Sequence, residues 1–77
     1  MRVGIDIGGT GTRIVAIDHL GTVVSEIDTP TVDFVHCETP QARIDLMVSK
    51  VSNVLNGSQA TSIGIGVSGP MDMRNGL

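Results

Sequence analysis

Two short segments of this chain hold residue types at spacings that can do chemistry. The first is Asp6-Ile-Gly-Gly-Thr-Gly-Thr-Arg13. Glycines in such a stretch permit positive φ in a tight turn. Lacking Cβ atoms, they also let backbone N–H groups come close to an anion. Thr10 and Thr12 add hydroxyl donors, and Asp6 can hold a Mg2+ ion through water. Gly8, Gly9, Thr10, Gly11 and Thr12 then make a phosphate clamp on a hairpin. An ordinary glycine hairpin with a capping Asp fits the same spacing, and spacing alone leaves both readings open. A Walker loop is excluded, because Gly-Lys-Ser/Thr is missing and a strand, not a helix, follows.

The second segment is Ile63-Gly-Ile-Gly-Val-Ser-Gly-Pro-Met-Asp72. It contains a literal GxGxxG, yet a dinucleotide fingerprint must follow a strand and open a helix. Here the glycines lie inside an apolar alternation and Pro70 follows. A strand of small residues that admits close packing or a ligand is the better reading. Ser68, at its carboxyl end, is placed to meet a substrate hydroxyl, since ligands gather beyond the carboxyl ends of parallel strands. Other features carry less. His36-Cys37 has no third or fourth ligand at metal spacing, and Cys37 has no activating neighbour except His36. Asn56-Gly-Ser58 fits a glycosylation pattern that a cytoplasmic chain does not use.

These residues need elements to hold them. Val3, Ile5 and Ile7 alternate with smaller or polar residues, which predicts a strand running into the glycine turn. Thr12–Asp18 and Thr22–Thr29 read as the second and third strands, joined by His19-Leu20-Gly21. The stretch from Pro30 to Glu38 reads as irregular. Thr39 is a good N-cap and Pro40 suits the first helical position. Ile44, Met47, Val48, Val51, Val54 and Leu55 recur at three- and four-residue steps and predict an amphipathic helix, stopped at Asn56 with Gly57 as a left-handed cap. Ser62–Ser68 is the fourth strand, ended by Gly69-Pro70. The order β-β-β-α-β, with a parallel crossover through the helix, gives an α/β mixed sheet with one helix on one face. The other face and the free edge of the fourth strand are expected to be apolar and uncovered.

Composition narrows the classes. The 77 residues include 40% hydrophobic and 17% charged side chains, so the chain should collapse rather than stay disordered. Five Lys plus Arg in a chain of net charge −3 make no basic patch for nucleic acid. One Cys allows no internal disulfide. No apolar run is long enough for a secretory signal or a membrane span, so the expected compartment is the cytoplasm. With ten glycines and Phe34 as its one aromatic, so small a core suggests part of a larger folding unit.

The segment Asp6–Arg13 resembles the first phosphate motif of the sugar kinase/Hsp70/actin superfamily. The fuller stretch from Val3 to Asp18 is most similar to the ROK family, which contains bacterial glucokinases, fructokinases, N-acetylhexosamine kinases and sugar-responsive repressors. Ile63–Asp72 resembles that family's GxGxxGPxD segment. The resemblance covers nearly the whole chain and implies a ribonuclease H-like half-domain. Residues 1–77 would be part of an N-terminal ATPase-type domain, with the rest of that domain and the second lobe absent.

The resemblance implies ATP-dependent phosphorylation of a hexose or N-acetylhexosamine hydroxyl. Gly8, Gly9, Thr10, Gly11 and Thr12 would cradle the ATP phosphates, with Asp6 near a water-bound Mg2+. Ser68, Gly69 and Pro70 would border the sugar pocket. Gly11 departs from the family, where many relatives have Lys. The family's general-base Asp and its structural zinc site lie downstream of residue 77, so the chain alone is expected to be inactive. Two alternatives are a sugar-responsive regulator and a non-catalytic phosphate-binding module. The regulator normally carries a DNA-binding segment ahead of the first strand, and here that strand begins at residue 2. No nucleic acid or membrane partner is expected for this segment. The uncovered sheet predicts a homo-oligomer or swapped dimer.

Overall fold

The computed structural model describes residues 1–67; Ser68, Gly69 and Pro70 lie outside the described residues. Strands β1 (Arg2–Ile7), β2 (Gly11–Ile17) and β3 (Val23–Pro30) are followed by helices α1 (Val32–Val35) and α2 (Pro40–Leu55) and by strand β4 (Ser62–Val67). The sheet order is β3-β2-β1-β4. β1 pairs antiparallel with β2 and parallel with β4, and β2 pairs antiparallel with β3. The mixed sheet is therefore the one the apolar alternation predicts.

Register sorts the side chains into rows across the sheet. On one face run Ile63–Val3–Ala16–Ser25, then Ile65–Ile5–Ile14–Ile27, then Val67–Ile7–Thr12–Thr29. The buried core is built on this face from Val3, Ile5, Ile14 and Ala16 with Val54 of α2, flanked by Ile7, Ile27, Met47, Val51 and Leu55. Ile14 is fully buried, a side chain whose burial contributes about 1.5–3 kcal/mol.

Helix α2 forms where its caps and stripe place it. Thr39 has extended backbone and its hydroxyl accepts the Ala42 N–H at 3.0 Å. Pro40 takes the first turn, where no N–H is needed. At the other end Asn56 is left-handed (φ 49°), its N–H bonds the Ser52 carbonyl, and Gly57 follows at φ 90°.

Two expectations need correction. First, residues 32–35 of the stretch read as irregular form the short helix α1, because Phe34 turns inward and is buried. Second, the face away from α2 is not apolar. Its rows are Gly66–Asp6–Arg13–Asp28, Gly64–Gly4–Val15–Glu26 and Ser62–Arg2–Ile17–Val23, so its few apolar side chains are interspersed with glycines and charges. The free edge of β4 is apolar and uncovered, as expected, on the helix side of the sheet. Helix α2 packs over β2 and β3, leaving Ile63, Ile65 and Val67 of edge strand β4 exposed, together with Ile44 and Val48 on the outer part of the helical stripe. Among the described residues, no helix is long and apolar enough to cross a membrane.

Candidate phosphate-binding loop

The β1–β2 connection is closed at its base by the Ile7–Thr12 pair and by a 2.9 Å hydrogen bond from the Gly8 N–H to the Gly11 carbonyl. Opposite Gly11 stands Pro30, which has no N–H to donate. The Gly11 carbonyl therefore takes its donor from inside the loop. The positive-φ glycines of the described residues are Gly21 and Gly57, so the expectation of positive φ in this loop is not met. The reason is length. Two-residue hairpin turns demand left-handed residues, whereas longer connections are built around ordinary right-handed turns. What glycine provides here is a bare backbone, and a Cβ placed on Gly11 would meet nothing within 4 Å.

A residue from the far side of the sheet holds the loop. Thr31, at the start of α1, donates its N–H to the Thr10 carbonyl at 3.1 Å and its hydroxyl to the Gly8 carbonyl at 2.8 Å. The Thr12 and Thr31 hydroxyls are 2.9 Å apart. Each hydroxyl carries one proton. With the Thr31 proton on the Gly8 carbonyl, the Thr12 proton must lie on the Thr31 oxygen. Thr12 is buried, and in this arrangement both protons are committed inside the protein. The Gly9 and Thr10 N–H groups and the Thr10 hydroxyl meet no acceptor among the described residues, and both residues are exposed. Two adjacent amides and a hydroxyl on a braced loop form a donor set suited to phosphate oxygens.

Asp6 lies exposed at the end of β1, in the row with Gly66, Arg13 and Asp28. Arg13 pairs with Asp28 at 2.9 Å. The Asp28 hydrogen bond and charge raise the Arg13 pKa, with smaller help from Glu26 and Asp6. Gly64 and Gly66 lie within β4, and a Cβ on either would meet nothing within 4 Å, leaving bare backbone beside Asp6. Their position inside a strand agrees with rejecting a dinucleotide fingerprint.

On the helix side an apolar cavity of about 500 Å3 opens between the sheet and the helices, lined in part by Ile7, Thr12, Thr31, Phe34 and Met47. Arg43, at its rim, donates from Nε to the Phe34 carbonyl at 3.1 Å and ties α2 to α1. Cys37 is half-buried, its thiol 3.4 Å from the Asp33 carbonyl. Among the described residues no three His, Cys, Asp or Glu side chains gather as metal ligands. Sequence reasoning missed Thr31, Phe34 and Arg43. No local signal marked Thr31, whose hydroxyl contacts are 23 and 19 positions away.

No protein-family model matches the chain. Over 71 residues it is 32% identical to a glucokinase of Streptomyces coelicolor, a match covering 90% of this chain and 20% of that protein. Over 75 residues it is 31% identical to a glucokinase of Pyrobaculum calidifontis, covering 97% and 21%. In structure it is similar to a ROK family glucokinase from Streptomyces griseus in complex with glucose and AMPPNP. That similarity has a TM-score of 0.65 and 26% identity, over 88% of this chain and 20% of the other. The chain thus spans about a fifth of the length of the relatives it matches. In sequence and fold it resembles the N-terminal part of a ROK glucokinase-like kinase. Its mixed four-strand sheet and helix match that enzyme's α/β half-domain.

Proposed function

We propose that this chain is the N-terminal part of an ATP-dependent ROK sugar kinase, residues 1–77 forming part of its ATPase-type domain, and that the β1–β2 loop holds the phosphates of the nucleotide. One observation carries the reading: the Gly9 and Thr10 amides and the Thr10 hydroxyl stand without acceptors among the described residues, on a loop fixed by Thr31. Similarity to glucokinases over about a fifth of their length supports it. Gly8, Gly9, Thr10 and Gly11 line the anion, and Thr12 serves from beneath, its proton held by Thr31.

The parallel pair β1 and β4 ends at the same side of the sheet as this loop. Ligands of such sheets lie beyond the carboxyl ends of the strands, and Ser68, Gly69 and Pro70, which follow β4, would border the sugar there. The donor set fits MgATP: amides and a hydroxyl for phosphate oxygens, and the exposed carboxylate of Asp6 for a hydrated Mg2+. When bound, MgATP supplies the phosphoryl group and the metal charge that offsets its oxygens. The reaction moves that group to a hexose or N-acetylhexosamine hydroxyl and leaves ADP. The hydroxyl proton goes to a base supplied by another part of the kinase. Because phosphoryl transfer rests on positioning nucleophile, metal and phosphate together, this chain alone is inert.

The test is to express the gene to its natural stop codon and measure ADP formation against a panel of hexoses and N-acetylhexosamines, with the 77-residue chain in parallel. Turnover of one sugar by the long form and none by the short form is the expected outcome. A long form that binds sugar without consuming ATP makes the protein a sugar-responsive regulator. A form that binds phosphate but no sugar makes it a phosphate-binding module.

A further inference from the structure

Thr31 occupies the N-cap of α1, where a threonine hydroxyl ordinarily accepts a bond from its own helix. Here it makes no such bond. The hydroxyl turns away and donates to the Gly8 carbonyl at 2.8 Å, while the Thr31 N–H reaches the Thr10 carbonyl at 3.1 Å. These two carbonyls flank Gly9, so one residue grips the loop on both sides of its exposed amides. Thr12, buried beneath, stands 2.9 Å from the Thr31 hydroxyl and can only donate to it. The result is a directed relay, Thr12 to Thr31 to the Gly8 carbonyl. With its carbonyl drawn toward Thr31, the Gly8–Gly9 peptide cannot flip without leaving a part-buried donor unmet, a loss proteins avoid.

We propose that Thr31 is a positioning residue for nucleotide binding: it fixes the Gly8–Gly9 and Thr10–Gly11 peptide planes so that the loop amides present themselves to phosphate. This inference rests on the reading of the loop as a phosphate clamp. The Thr31 hydroxyl itself touches no phosphate, because its single proton is already given. Removing that hydroxyl leaves the α1 cap bonds unchanged, since it does not serve the helix.

The test is equilibrium binding of AMPPNP with Mg2+, and separately of glucose, to the protein expressed to its natural stop codon, as wild type, Thr31→Val, Thr31→Ser and Thr12→Val. Thermal melting of each variant is followed alongside. Thr31→Val is expected to weaken nucleotide binding about tenfold with glucose affinity unchanged. Thr31→Ser should restore wild-type binding. Thr12→Val, which leaves the Thr31-to-Gly8 bond in place, should weaken it by less. Equal nucleotide affinity in wild type and Thr31→Val overturns the proposal while leaving the clamp intact. Parallel loss of nucleotide and glucose binding with a lowered Tm, not rescued by Thr31→Ser, reduces Thr31 to a structural residue and also overturns it. A wild-type protein that binds glucose but no nucleotide removes the clamp reading and this inference with it.

Discussion

The sheet has two antiparallel hairpins, and they are built in opposite ways. In the β2–β3 hairpin every amide from Leu20 to Thr22 donates to Asp18. Leu20 and Thr22 bond its carboxylate at 2.9 and 3.0 Å, and Gly21 bonds its carbonyl at 3.1 Å. Gly21 takes φ 85° to allow this. The turn meets three consecutive amides from within, through Asp18. In the β1–β2 hairpin no glycine is left-handed, and the clamp on the loop comes from Thr31, outside it. Two consecutive amides are left without acceptors among the described residues. A turn closed from within is structural. A turn braced from a distance, two of whose amides meet no acceptor among the described residues, is the one proposed to bind phosphate.

The substitution expected to break this comparison most severely is Gly9→Val. A branched side chain beside the Gly9 and Thr10 amides keeps an anion from reaching them. Loss of two charge-assisted bonds predicts a nucleotide affinity lower by about a hundredfold or more, with sugar affinity retained. Calorimetric titration of the protein expressed to its natural stop codon with AMPPNP and then with glucose checks both. Unchanged nucleotide affinity would remove the phosphate assignment.

In the other hairpin the expected losses are of stability alone. Gly21→Ala puts a Cβ on a left-handed residue with nothing within 4 Å to clash, so its cost is purely conformational, about 1–2 kcal/mol. Denaturant melts should show it while AMPPNP affinity stays constant. Asp18 adds a pH signature. Bonds from the Thr22 and Leu20 amides lower its pKa below the ordinary aspartate value of 3.8. A depressed carboxylate stabilises the fold above its unfolded pKa, and that contribution fades as pH falls through the folded one. Asp18→Asn should therefore lower the Tm slightly in the neutral region, where the ionised carboxylate contributes, and flatten the acid limb of a Tm–pH curve below about pH 4, where the two proteins converge.

How much of this was legible in the sequence depended on the range of the forces involved. The four strands and α2 are local patterns, and alternation, the Thr39-Pro40 start and the Asn56-Gly57 stop place them. The loop glycines were visible too, but of the two reasons given for them, positive φ is not observed. Helix α1 was missed because four residues show no helical period, and Phe34 only reveals its burial once α2 and Arg43 are near. Thr31 was missed because its bonds to Gly8 and Thr12 span 23 and 19 positions, and no local spacing marks such a contact. The apolar free edge of β4 was legible and is found, whereas the face away from α2 was expected to be apolar too and is not, because its rows carry the glycines and charges of β1, β2 and β4.

The smallest predicted effect sharpens the comparison in the other direction, by adding function. Gly11 stands where many relatives of the resembled family have Lys. Its φ is not positive, it is exposed, and a Cβ there meets nothing within 4 Å. Its carbonyl bond from Gly8 is a backbone bond and survives any side chain. Gly11→Lys should therefore leave the Tm unchanged and bring a cation to the mouth of the loop. For a flexible, solvated charge the gain is modest, about two- to fivefold in nucleotide affinity, and it should shrink as salt is raised. Gly21→Lys, the same change in the self-closed hairpin, should lower the Tm and leave nucleotide affinity unaltered. Gly21→Lys tightening nucleotide binding as much as Gly11→Lys would mean that net charge, not the architecture of the first hairpin, governs affinity. A gain confined to Gly11→Lys ties the effect to the loop that Thr31 holds open.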